Sequence, residues 1–154
     1  MKLLKFELKK VWRSKKILFL FLFTLIFVSG LFFRNFLMQE EIKERKLHQA
    51  SPLTKEVHEI SSEYTKKLLD NPENPTIQAI NDNLIEMQTK LQDWTNAINY
   101  EDWVSVPLFE LQFLESIQNH QILGGEFKAL QGLELEKAIE KNKILVQYKL
   151  PYED

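Results

Sequence analysis

The apolar pattern changes character twice along the chain. Ile17 to Phe33, ILFLFLFTLIFVSGLFF, is 17 residues without a charge, and its only polar members are Thr24 and Ser29. As a helix rising about 1.5 Å per residue it covers roughly 26 Å, slightly under the ~30 Å of a hydrocarbon core. Extension through Phe36, Leu37 and Met38 more than fills the gap, so the predicted transmembrane helix is 17–38. Arg34 then falls near its outer edge, where a long side chain reaches the headgroups. A cleaved signal peptide fits poorly: the apolar stretch is long, and the bulky LFFRNFLMQEE stands where a small-x-small site belongs.

Before the span, Leu4, Leu8, Val11 and Trp12 recur at helical spacing with Leu3 and Phe6 beside them. Lys2, Lys5, Lys9, Arg13 and Lys16 take much of the remaining face. The pattern predicts an amphipathic interfacial helix over 1–16, with Trp12 toward lipid and Lys9, Lys10, Arg13, Lys15 and Lys16 toward the inner headgroups.

After the span the periodicity is that of half-wet helices. QEEIKERKLHQA, 39–50, continues as a charged helix, and Ser51-Pro52 is expected to interrupt it. Leu53, Val57, Ile60, Tyr64 and Leu68 predict a helix over 53–69, ended by DNPENP at 70–75. With Thr76 as its cap, the next helix carries Ile77, Ile80, Leu84, Met87, Leu91, Trp94 and Ile98 at alternating steps of three and four. Such a seam packs against one other helix, either within the chain or on a second copy as a coiled coil, and the spacing suits both. The pattern weakens over NYEDWVSVP, where Trp103, Val104 and Val106 suggest a bend packed into the core. It resumes over 108–123 with Phe109, Leu111, Phe113, Leu114 and Ile117, and stops at Gly124-Gly125. A last helix is expected from about Glu126 to Lys141, with Phe127, Leu130, Leu133 or Leu135, Ala138 and Ile139 inward. The tail ILVQYKLPYED reads as a short strand or an extended linker. No strands alternate with these helices, so the fold class is all-α, and 39–154 is a small helical domain, rod-like or a bundle.

Charge supplies the orientation. The 154 residues sum to −2, but residues 1–16 carry seven basic side chains against one acid, and 35–154 carry 12 against 21. The positive-inside rule puts Met1 in the cytoplasm and 39–154 outside the cell membrane. The aromatic and Leu positions among the basic residues, and the adjacent span, argue against nucleic acid as a partner.

Candidate chemistry is sparse. With no Cys, thiolate catalysis and Cys-ligated metals are excluded. His48, His58 and His120 are far apart with no HExxH or HxxxH spacing, so they are expected at the surface, and no metal, cofactor or catalytic residue is assigned. Glu56 and Glu59 beside His58 read as a solvated helix face. Glu101 and Asp102 read as a solvated turn, Trp94 and Trp103 as core. The chain is expected not to be an enzyme.

The opening MKLLKFELKKVWRSKKILFLFLF resembles the start of bacterial ABC transporter permeases of the ABC-2 type. Lys9, Lys10, Arg13 and Lys15–Lys16 match the basic pattern, and Phe6-Glu7-Leu8 the recurring hydrophobic–acidic–hydrophobic element. The resemblance implies a cytoplasmic elbow helix before the first span, about six spans, a separate ATPase subunit, and a helical extracellular domain between spans one and two. KNKILVQYKLPYED then looks like the approach to a second span. Spans two to six are missing, so the resemblance implies a piece of a permease. The alternative is a single-pass membrane scaffold or cell-envelope interaction protein, homo-oligomeric through the Ile77–Ile98 seam.

Overall fold

Apolar side chains at helical spacing, bounded by Asn, Pro and Gly turns, fold here into helices alone. The computed structural model describes residues 15–150, and among these there are four helices and no strand. They are α1 (Lys15–Asp70), α2 (Pro75–Asn99), α3 (Val106–Ile122) and α4 (Gly132–Tyr148). The interfacial helix expected over 1–16 falls almost wholly outside the described residues. The chain divides into two compact units, Met1–Ile42 and Lys43–Asp154, and α1 contributes to both.

In the first unit α1 carries the uncharged stretch. Its described side chains from Phe19 to Arg34 are all exposed. Thr24 disposes of its hydroxyl by donating to the Leu20 carbonyl at 2.9 Å. A polar side chain satisfied by its own helix is compatible with an apolar surrounding. This is the one described helix long and apolar enough to cross a membrane.

The expected break at Ser51-Pro52 does not occur: α1 runs through Pro52 to Asp70. Proline removes one amide donor, the one that reaches back to the carbonyl of residue 48. Both Pro52 and His48 are solvent-exposed, so water can take the freed carbonyl. Ala50 and Val57, buried on either side, hold the helix in place, so packing overrides local propensity.

The second unit is a bundle built from the remainder of α1 and α2, α3 and α4. The turn at 71–74 sends the chain into α2. Asn74, not Thr76, is the cap: its Oδ1 accepts from the amides of Thr76 (3.0 Å) and Ile77 (3.2 Å), and Pro75 occupies the first helical position. α2 ends in a Schellman motif, with the Asp102 amide donating to the Ala97 carbonyl and the Glu101 amide to that of Ile98. Its left-handed position is held by Glu101 at φ 58 instead of glycine, at a cost of about 1 kcal/mol or more.

α3 starts two residues earlier than expected, at Val106, and is followed by Gly124 at φ 88. The helix expected from Glu126 begins only at Gly132 and continues to Tyr148, so the tail 144–148 is helical, neither strand nor linker. Residues 126–131 instead form a loop that buries Phe127. α2 packs on α3 and α3 on α4. α1 joins them through Lys46 to Glu110, Gln88 to Ser61 and Tyr64 against His120.

The core centres on Leu84, Met87, Trp94, Ile98, Phe113 and Ile117. Trp94 stacks on Phe113 with ring centroids 5.7 Å apart. Trp103 is only half-buried and Val104 is 65% exposed, so of the expected inward residues of that turn only Val106 is fully buried. Leu133 is exposed, and Leu135 and Ile139 form the inner face of α4.

Phe113→Ala is expected to cost about 3–5 kcal/mol of stability, whereas Ile85→Ala on the exposed face of α2 stays within about 0.5 kcal/mol. Thermal unfolding of the detergent-solubilised chain followed by helical circular dichroism separates the two.

Candidate functional site

The expected membrane-interface residues fall in two groups. Lys9, Lys10, Trp12 and Arg13 lie outside the described residues; Lys15 and Lys16 form the start of α1. Arg34 follows the uncharged stretch and is exposed. Of the seam residues, Ile80, Leu84, Met87, Leu91, Trp94 and Ile98 are buried, and Ile77 is half-buried. They are covered by helices of the same chain, so the seam is an intramolecular core face.

Two ion pairs fasten α1 to the α2–α3 side of the bundle. Lys43 Nζ lies 3.3 Å from Glu101, and Lys46 Nζ lies 2.8 Å from Glu110. Lys46 is 97% buried, and its ammonium also stands 5.8 Å from the centroid of the Trp94 ring. A lysine so enclosed needs a carboxylate close at hand, and removing such a partner is far costlier than breaking a surface pair. Sequence reasoning missed both pairs because the acids are 58 and 64 residues away. The only local signal is that Lys43 and Lys46 share one helix face.

A second constellation gathers where α1 faces the loop after α3. A cleft of about 490 Å³ is lined by Glu56, Glu59, Glu63, Tyr64, Lys67 and Lys128, among others. Two of its charges pair with each other. Glu63 takes Lys67 at 2.5 Å, and that hydrogen bond holds its carboxyl below the ordinary range. The Lys67 ammonium also sits over the Tyr64 ring at 4.4 Å. Glu56, expected on a solvated face, is half-buried and accepts two successive backbone amides, from Lys128 and from Ala129 (2.6 Å). This anchor ties the backbone at Lys128 and Ala129 to α1.

Behind the cleft lies His120, which is fully buried and not at the surface as expected. Tyr64 meets its ring edge-on at 6.2 Å, and the backbone of Gly125 lies so close that a Cβ there would collide with the imidazole. Neither ring nitrogen has a hydrogen-bond partner. Burial pushes the His120 pKa down from its ordinary 6.5. Among the described residues no group of three or more Asp, Glu or His is placed to hold a metal ion.

Neither a protein-family model, nor a curated protein, nor a solved structure matches this chain.

Because the folded state disfavours protonated His120, its contribution to stability is complete above pH 6.5 and is lost as pH falls from there through the lowered folded-state value. The melting temperature is therefore expected to drop on acidification below 6.5, and His120→Leu to flatten that part of the profile. His48 and His58, both exposed, remain in the variant as internal controls. Glu56→Ala is expected to cost about 1–2 kcal/mol and to speed hydrogen exchange at the Lys128 and Ala129 amides while leaving the α2 amides protected.

Proposed function

We propose that this chain is a membrane-spanning part of an ABC-type export system of the ABC-2 permease kind. It crosses the cell membrane once through the apolar part of α1. The basic segment before α1 lies in the cytoplasm, and the bundle from Lys43 onward lies outside. The observation that carries the reading is the uncovered 17-residue uncharged stretch, preceded by a net charge of +6 over 1–16 and followed by −9 over 35–154. The described side chains within it are exposed, and a helix apolar all round needs either protein or lipid about it. The second unit closes its own core without this stretch, which supports lipid as its cover. The basic flank fixes the direction of crossing.

In this reading the bundle is an extracellular binding or docking element with no catalytic role. Transport requires further spans and a separate ATPase subunit. The rival scaffold reading depended on an external coiled coil, and its seam is used up inside the bundle.

The absence of Cys makes the chain a ready background for single-cysteine mapping. In intact cells an impermeant maleimide is expected to label Glu59→Cys and to reach Lys5→Cys only after permeabilisation; equal or reversed labelling rejects the orientation. Purified in mild detergent, the full chain is expected to carry an ATP-hydrolysing subunit in stoichiometric amount. A homo-oligomer devoid of ATPase activity speaks against the permease assignment.

A further inference from the structure

One end of the bundle combines an apolar surface with acids that are already engaged. At the α2–α3 turn Tyr100 is 83% exposed, Val104 65% and Leu108 40%. The two acids of the same turn are exposed, and each has a partner. Glu101 pairs with Lys43, and Asp102 Oδ1 accepts the Ser105 amide at 3.3 Å. Apolar and acidic side chains are thus exposed side by side at this turn, while Val106 turns inward.

The same end receives the close of α4. The Glu56 anchor holds Lys128 and Ala129, and so the start of α4, at the far side of the bundle. From there α4 returns so that Lys143 reaches Glu115, midway along α3, at 3.5 Å. Tyr148 and Leu150, beyond Lys143, therefore lie toward the start of α3, and both are exposed.

Chain length bounds how far one end of the bundle can be from the end of the apolar stretch. Lys43 is five residues past Met38, the last of the apolar positions that extend the uncharged stretch. Even a fully extended chain keeps it within about 18 Å of that point, a bound that holds for any arrangement of the two units. Glu101 is in contact with Lys43, so the α2–α3 turn shares the tether. The opposite end, at 71–74, is separated from it by the 25 residues of α2, roughly 37 Å of helix.

Resting on the membrane placement proposed above, we infer that the α2–α3 turn, with the end of α4 beside it, is a lipid-docking foot. Tyr100, Val104 and Leu108, joined by Tyr148 and Leu150, seat in the headgroup region of the outer leaflet. The partner is the lipid surface itself. Tyrosine suits that zone because its ring is apolar and its hydroxyl is wet. The Lys43–Glu101 pair offsets one of the two carboxylates of the turn.

Fluorophore-labelled single-cysteine variants of the full chain, in phosphatidylethanolamine–phosphatidylglycerol vesicles, test this with nitroxide lipids labelled near the headgroup or deep in the acyl chain. Val104→Cys marks the foot, Ile122→Cys the opposite end and Phe27→Cys the span, all at exposed positions where folding is not at stake. Shallow nitroxides are expected to quench the Val104 label on the order of two-fold more than the Ile122 label, with Phe27 quenched by the deep ones. Phe27 quenched in depth while Val104 and Ile122 behave alike overturns the foot and leaves the span standing. A Phe27 label that no nitroxide lipid quenches overturns the span, and the foot with it.

Discussion

The second unit depends on the burial of α3. It is the one described helix that meets the other three: α2 and α4 by helix packing, α1 through Glu110 and His120. Its buried residues include Leu111, Phe113, Leu114, Ser116, Ile117 and His120, which lie on more than one face of the helix. A helix enclosed on several sides cannot be amphipathic in the simple sense. Its polar residues must then be satisfied internally or remain unsatisfied. Ser116 donates back to the Phe113 carbonyl at 2.6 Å, and its own carbonyl accepts Asn83 Nδ2 at 3.3 Å. His120 finds no such partner, and the same enclosure that gives the bundle its core disfavours the charged form of its ring.

The two units dispose of their apolar residues differently. In the bundle, apolar residues find cover in other helices, and charge is left to the surface apart from the Lys46–Glu110 tie. Along the uncharged stretch of α1 the reverse holds: the described apolar side chains point outward, and Thr24 turns its hydroxyl onto its own backbone. A single helix carries both regimes, which explains why whole-chain averages of charge and hydropathy look ordinary.

Much of this was legible from residue spacing. The seam of α2 could be read residue by residue because strict three–four steps leave one face to bury, and six of its seven members are buried. α3 was legible in extent to within two residues, since Gly124 marks its end. Pro52 was misleading because the loss of one hydrogen bond at an exposed position weighs less than the burial of Ala50 and Val57 around it. Residues 126–131 were misleading for a different reason: Phe127 and Leu130 suit a helix, but Phe127 is buried from a loop whose tether, Glu56, lies some 70 positions earlier. His120 and Lys46 carry no local mark of burial, because their neighbours come from other helices. The candidate sites were thus the least legible part, being made of long-range pairs.

Gly124 and Gly125 are adjacent but are glycine for unrelated reasons. Gly124 sits at φ 88 with open space around its Cα, whereas Gly125 has an unremarkable φ but no room beside the His120 ring. The constraint at 124 is backbone conformation, so Asn is the natural replacement among chiral residues. The constraint at 125 is volume, and no side chain relieves it unless residue 120 shrinks as well. In a set of diverged sequences position 124 would vary independently, whereas 125 and 120 would change together. Covariation of that pair would mark this packing in any chain that shares the bundle.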